Sequence, residues 1–196
     1  MFLYLVEWYF GIMRSLGIVS ILVCVFFANC WFFDNKPVQQ TITSKQSIDS
    51  FLSSSPYTVI ITYSEDCPFC IRYTETIREL NRKLPQNFKL YLLKVLEDEN
   101  WDFQNEYLPS SELLNRNKKY LISSYDLMVY PEAIVLDSAG NMLYKGKIDN
   151  RAHETGVVKT VVTHEYLKNA IDEISIGSVK YQTETKAVGC FIESVN

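Results

Sequence analysis

Two cysteines separated by two residues are the first feature of this sequence with the potential for chemistry. Cys67 and Cys70 enclose Pro68 and Phe69, after a β-branched apolar run and before a segment with helical spacing. A cysteine at the start of a helix ionises more readily, because unpaired N–H groups and the helix dipole stabilise negative charge. Since the thiolate attacks disulfides, Cys67 is the candidate nucleophile. Cys70, one turn later, is the candidate resolving cysteine.

The neighbours of Cys67 modify this expectation. Pro68 suits a first helical turn, since its missing N–H would be unpaired there. Glu65 and Asp66 oppose a further negative charge, and Phe69 offers the thiolate no hydrogen bond. We therefore predict a moderately acidic Cys67 and place Pro68 and Phe69 at the contact with a partner.

A structural zinc site is the alternative interpretation of the C-x-x-C motif. Its remaining ligands would come from Cys190, His153 and His164, and none of these is paired at ligand spacing. A strand before the motif and a helix after it favour redox chemistry, which needs no metal or organic cofactor. For the two histidines we expect surface roles.

The bulk composition excludes some classes of protein. The 196 residues carry a formal charge of −4, which argues against nucleic acid as a partner. The five cysteines are unevenly spaced, so a small disulfide-stapled domain is not indicated. One domain with an attachment segment fits this length.

The N-terminus contains an uncharged apolar run, Leu16–Phe33, after Arg14. In one interpretation it is an uncleaved membrane anchor with Arg14 on the cytoplasmic side. In the other, translation starts at Met13 and the run is a signal that ends at Cys30, which resembles the lipid-bearing residue of a bacterial lipoprotein. We favour lipidation, and both interpretations place the remainder outside the cytoplasm, in the cell envelope.

The rest of the chain predicts a mixed α/β fold. We divide it into an anchor or signal segment (1–35), a polar tether (36–44) and a folded domain with a C-terminal tail (45–196). The predicted elements are helix 44–54, strand 57–63, helix 70–84, strand 88–96, loop 97–110, helix 111–125, strand 133–137, turn 138–141, strand 142–147 and helix 163–174. On the fourth strand, Lys145 and Lys147 are expected on a solvated face.

Tyr130-Pro131, just before the third strand, completes a resemblance to the thioredoxin superfamily. The segments 125–140, Tyr144–Asp149 and Thr185–Cys190 resemble its redoxin branch, which includes thioredoxin-like and alkyl-hydroperoxide-reductase-like proteins. The likeness runs from Tyr57 to Ile192. It implies a central mixed sheet flanked by helices and a cis peptide bond before Pro131. It also implies that Tyr130 pairs with an incoming extended chain.

The chain departs from thioredoxin at two positions near the motif. Asp66 replaces a tryptophan, and Ile61 occupies the place of a buried acid, so Ile61 cannot relay a proton to Cys70. For a peroxidase of this superfamily, Ser64 fits the expected pattern and Ile60 does not. Cys190 is either a third redox cysteine, able to take a disulfide from Cys67, or a packed small residue.

The favoured function is thiol–disulfide exchange with extracytoplasmic proteins, supported by a membrane or periplasmic redox partner. Whether the chain oxidises or reduces its substrates stays open. A thiol-dependent peroxidase and a non-catalytic binding module are the alternatives.

Overall fold

The computed structural model describes residues 36–96, 111–152, 159–178 and 183–193. The chain divides into two units, Met1–Ile42 and Thr43–Asn196, and the described part of the first is the start of a helix. The predicted apolar segment with Cys30, the loop 97–110 and His153 lie outside the described residues. Within the described ranges, every helix is too short or too polar to cross a bilayer.

The described elements alternate between helices and strands. In chain order they are α1 (Lys36–Leu52), β1 (Tyr57–Tyr63), α2 (Pro68–Lys83), β2 (Phe88–Lys94), α3 (Glu112–Arg116), α4 (Lys118–Ser124), β3 (Val129–Tyr130), β4 (Ala133–Asp137), β5 (Met142–Gly146), α5 (Tyr166–Ser175), β6 (Thr183–Glu184) and β7 (Cys190–Phe191).

A five-stranded mixed sheet forms the centre of the domain. Its strand order is β2-β1-β4-β5-β6, with β1 parallel to β2, and β4 antiparallel to both β1 and β5. Strand β6 joins β5 in parallel. A separate two-stranded pair, β3 with β7, lies at the start of β4. This is the predicted thioredoxin-like arrangement of a mixed sheet with helices.

Both faces of the sheet are covered, so almost every residue of β1 and β4 is buried. On one face, α2 and α5 pack through Ile77, Leu167 and Ile171 against a cluster that includes Val59. On the other, residues of α1, α3 and α4 form a second cluster with alternate residues of the same strands. Strands buried on both sides read as continuous apolar runs, which explains why their bounds were predictable.

The local predictions fail at three places. Residues 36–44, predicted as a tether, form the beginning of helix α1. Pro37 is compatible with this, since proline is tolerated in a first helical turn. The single helix predicted over 111–125 is two helices that meet at Asn117, whose backbone leaves the helical region. Strands β3, β6 and β7 were not predicted, since two residues carry no periodicity.

Candidate active site around Cys67

Cys67 is the N-cap residue of α2, as the sequence predicts. Its N–H donates to the Ser64 carbonyl at 3.4 Å, and its own carbonyl accepts from the Ile71 N–H at 3.1 Å. The Asp66 N–H donates to Ser64 Oγ at 3.1 Å, which tightens the turn between β1 and α2. The sulfur is therefore fixed at the helix end that favours negative charge.

Cys70 lies one turn into α2, is fully buried and is not disulfide-bonded. It belongs to the core cluster that also contains Ile61 and Tyr73. The position on β1 where thioredoxin has an acid is thus part of an apolar environment shared with Cys70. Cys67, at 2% exposure, is also buried in this disulfide-bonded form, so both sulfurs of the motif are covered here.

The disulfide of this structure joins Cys67 to Cys190, with their Cα atoms 6.4 Å apart. This differs from the Cys67–Cys70 disulfide expected as the redox-active bond, since Cys70 retains its thiol here. The physical reason is the path of the C-terminus, which returns to the start of α2. Cys190, for which a redox role and a packing role were both open, forms this disulfide and also packs against the core cluster, and its redox role stays a prediction.

The loop that faces Cys67 contains the expected cis peptide bond between Tyr130 and Pro131. Thr62 on β1 holds this loop from behind. Its hydroxyl donates to the Val129 carbonyl at 2.9 Å and accepts from the Glu132 N–H at 2.8 Å. The Thr62 N–H donates to the Glu132 carbonyl at 2.9 Å. The central sheet therefore positions the loop on one side and leaves its outer edge for pairing.

The outer edge of this loop lies against the sulfur. The Tyr130 carbonyl oxygen is 3.5 Å from Cys67 Sγ, and Tyr130 is half-buried. Pro68 is exposed and Phe69 is half-buried, and their contact with a partner stays a prediction. The Tyr130 edge, however, is already paired with β7 of the same chain.

Two buried charged residues lie behind the loop. Burial raises the pKa of the Glu132 carboxyl, and the Met128 N–H, which donates to it at 3.1 Å, acts in the opposite direction. Lys145 is 7% exposed, so the prediction of a solvated face is wrong for this residue. Its ammonium group donates to the Asp126 carbonyl at 2.7 Å, and this hydrogen bond compensates for burial.

A second polar cluster fixes α2 from the other side. The Tyr73 hydroxyl donates to Asp149 Oδ1 at 2.6 Å, and Arg151 pairs with the same carboxylate at 3.3 Å. Burial, followed by the adjacent carboxylate, raises the pKa of Tyr73 well above its usual range. Tyr73 thus stays a neutral donor and ties the segment after β5 to the helix that carries Cys70.

Sequence reasoning missed Thr62 and Gly189 as residues of the site. A β-carbon at Gly189 would overlap the Tyr130 carbonyl oxygen and come within 2.7 Å of its carbon. The sequence signal for Gly189 was its place directly before Cys190. Thr62 gave a weaker signal, as a polar residue near the end of an otherwise apolar strand. His164 is exposed beside Thr163, and the described residues contain no cluster of three metal-ligating side chains.

Comparison with known proteins places the chain by fold. No family model and no curated protein sequence matches it. An uncharacterized conserved protein from Geobacillus kaustophilus is 19% identical, with a TM-score of 0.54, over 74% of this chain and 80% of that one. A hypothetical protein from Sinorhizobium meliloti 1021 is 18% identical, with a TM-score of 0.53, over 73% and 82%.

One further solved structure shows a weaker likeness. The thioredoxin domain of a thiol–disulfide oxidoreductase from Bacteroides vulgatus is 16% identical, with a TM-score of 0.40, over 65% of this chain and 82% of that one. The sheet order, the cysteine at the start of α2 and the cis-proline before β4 are together those of the thioredoxin fold.

Proposed function

We propose that this chain, which has the fold of the thioredoxin superfamily, is a thiol–disulfide oxidoreductase that acts on protein partners through Cys67. The observation that carries the proposal is the meeting of three features. Cys67 caps a helix, the cis-proline loop lies against its sulfur, and that sulfur is bonded to a cysteine on an extended segment along the loop. This is the geometry that exchange with an extended polypeptide requires.

The exchange proceeds in two steps. The Cys67 thiolate attacks one sulfur of a partner disulfide, which forms a mixed disulfide and releases the partner's other sulfur as a thiolate. The Cys70 thiolate then attacks Cys67 Sγ, so a Cys67–Cys70 bond forms and the second partner sulfur leaves and takes up a proton. The partner gains two electrons, which the two cysteines of this chain lose. The reverse sequence oxidises a partner dithiol.

Thr62 and Tyr130 position the partner chain for these steps. Since Thr62 fixes the loop, the Tyr130 backbone presents one edge at a constant distance from the sulfur. A partner chain that pairs with this edge gains main-chain hydrogen bonds and brings its own cysteine to Cys67. Pro68 and Phe69 contact the partner at the rim.

Insulin reduction coupled to a dithiol tests this function. Wild type is expected to reduce insulin, and Cys67→Ser is expected to lose the activity entirely. Cys70→Ser/Cys190→Ser should accumulate mixed disulfides with partner proteins, because neither Cys70 nor Cys190, which is bonded to Cys67 in this structure, can then displace the partner. Fast consumption of hydrogen peroxide by Cys70→Ser, without insulin reduction, would instead identify a peroxidase. Wild-type cysteines unable to exchange with any disulfide would indicate a binding module.

The proposed site of action is the cell envelope, with a membrane or periplasmic redox partner that restores Cys67. Support comes from the apolar run Leu16–Phe33 and from Cys30, which we propose as a lipidation site. Expression of the full chain with labelled palmitate tests the second point. Label on wild type but not on Cys30→Ser supports lipidation, and equal membrane attachment without label supports an uncleaved anchor.

A further inference from the structure

The C-terminal residues 183–192, here called the strap, cross the mouth of the site and are held at both ends. At the first end, β6 pairs with β5, and the Thr185 N–H donates to the Lys145 carbonyl at 2.9 Å. The Thr185 hydroxyl also accepts from the Lys147 N–H at 2.9 Å. Gly146 makes this docking possible, since a β-carbon there would overlap the Thr185 carbonyl.

The second end of the strap lies along the cis-proline loop. Phe191 is opposite Val129 and Cys190 is opposite Tyr130 in an antiparallel register. The Ile192 N–H donates to the Met128 carbonyl at 3.0 Å. The strap therefore occupies the Tyr130 edge that a partner chain would use, and its cysteine occupies the position of the partner's cysteine.

Gly189 allows the backbone of the strap to lie close to the Tyr130 carbonyl. Because any side chain there would overlap the Tyr130 carbonyl, only a glycine before the cysteine permits this pairing. The same restriction applies to any polypeptide that binds this edge in the same register. The strap thus indicates what a partner sequence must contain.

The strap is held by its backbone hydrogen bonds, by its disulfide and by partial burial of Val188 and Ile192 against the core clusters. Phe191 is 76% exposed. A cavity of about 710 Å³ lies behind the strap, lined by Glu132 and Lys145 on the domain side and by Val188 and Gly189 on the strap side. Main-chain hydrogen bonds each contribute little net stability, because they replace hydrogen bonds to water. Once the disulfide opens, a partner can displace the strap.

We propose that the strap is an internal substitute for the partner polypeptide and gates Cys67, an inference that rests on the proposed function. In the closed form, Cys67 is bonded to Cys190. The Cys70 thiolate opens it by attack on Cys67 Sγ, which forms Cys67–Cys70 and releases Cys190 as a thiolate that takes up the proton lost by Cys70. The isomerisation needs no external oxidant, and the freed edge accepts an extended chain with glycine before its cysteine.

The test uses the peptide Val-Gly-Cys-Phe, with its cysteine as a mixed disulfide to thionitrobenzoate, and the fully reduced protein. Release of thionitrobenzoate in excess of that from the same variant carrying Cys67→Ser reports attack by Cys67, since the other cysteines are present in both proteins. Gly189→Ala undocks the strap, so it should react at least about tenfold faster than wild type, because the open fraction limits the wild-type rate. Ile192→Pro removes the amide that donates to Met128 and should act in the same direction. Glu193→Ala, on an exposed residue next to the strap, is the matched control and should react as wild type does.

A second peptide, with alanine in place of glycine, tests the partner preference. It should react at least about tenfold more slowly with Gly189→Ala protein, because its methyl group meets the Tyr130 carbonyl. Equal rates for the two peptides, or wild-type rates for both Gly189→Ala and Ile192→Pro, would overturn the proposal. Failure of the proposed function has a different signature, since no variant would then exceed Cys67→Ser. Hydrogen exchange of residues 186–193 in the same samples verifies that each substitution releases the strap.

Discussion

Thr62 is the residue that connects the central sheet to the partner edge. Its hydroxyl group is buried and bonds to both sides of the cis-proline, at Val129 and Glu132. Thr62→Val keeps the shape but leaves these two backbone groups without their partner. A buried unsatisfied group costs roughly 1–3 kcal/mol, so we expect a loss of about 2 kcal/mol in the free energy of unfolding, measured in urea.

The control for this substitution is Thr58→Val. Thr58 is also buried on β1 but lies at the other end of the strand, opposite Leu136. It should leave the reaction of Cys67 with peptide disulfides unchanged, whereas Thr62→Val should slow it because the loop loses its fixed position. If Thr62→Val retains both wild-type stability and wild-type rate, the sheet does not position the loop in this way.

Glu132 gives the molecule a predictable pH dependence. Burial raises the pKa of its carboxyl above the ordinary value of 4.5, so the folded state binds this proton more tightly than the unfolded state. Its contribution to stability is complete below that ordinary value and is lost as the pH rises through the folded pKa. As the pH rises from the ordinary value through the folded pKa of Glu132, the free energy of unfolding of wild type should therefore fall relative to that of Glu132→Gln.

Urea unfolding at a series of pH values measures the Glu132 effect. Glu193→Gln, at an exposed residue, is measured in parallel as the control substitution. A difference between wild type and Glu132→Gln that grows in favour of wild type with rising pH would contradict the prediction. It would mean that Lys145 and the backbone N–H groups outweigh burial.

At the scale of elements, the contact between β5 and β6 depends on Gly146. Its φ of 134° is unfavourable for any other residue, and an added β-carbon would lie 2.7 Å from the Thr185 carbonyl carbon. We expect Gly146→Ala to release the strap and to accelerate tryptic cleavage after the exposed Lys186 by at least about tenfold, since cleavage follows the open fraction.

Gly140→Ala controls for backbone strain in this experiment. Gly140 also has a positive φ, of 82°, but an added β-carbon there meets its nearest neighbours, Tyr125 and Leu52, at 3.4 and 3.5 Å. It lies in the β4–β5 turn, so it should strain the hairpin without freeing the strap. Equal cleavage of the two variants after Lys186 would show that the effect is general destabilisation.

The elements differ in how far the sequence determined them. Strands β1 and β4 were predicted with their observed bounds, because each is a short apolar run between turn residues. Helix α2 was predicted from its apolar spacing and from Pro85 beyond its end. The strap was not, because β6 and β7 are two residues each and exist only through pairing with distant strands. No local pattern encodes such pairing.

At the scale of the whole molecule, the difference between local patterns and long-range pairing explains which parts of the site could be predicted. The motif of Cys67 and Cys70 is local in the sequence. Pro131 lies near it because of the fold, which the order of the elements predicts. The bond from Cys67 to Cys190 spans 123 residues and depends on the last turn of the chain. The sequence favoured Cys70 as the partner of Cys67 because it lies one helical turn away, and it left Cys190 as an alternative since its position depends on the fold.

The long stretch of chain that the Cys67–Cys190 bond closes makes the disulfide state measurable through the free energy of unfolding. By chain entropy, closing the 123-residue separation of Cys67 and Cys190 stabilises the fold by about 5 kcal/mol, against about 2 kcal/mol for the short Cys67–Cys70 ring. Oxidised wild type should therefore exceed the reduced protein in free energy of unfolding by roughly the larger amount, and oxidised Cys190→Ser by roughly the smaller. Urea unfolding with and without a reductant gives both differences. A wild-type difference no larger than that of Cys190→Ser would place the resting disulfide between Cys67 and Cys70, and the strap would then lack its covalent hold.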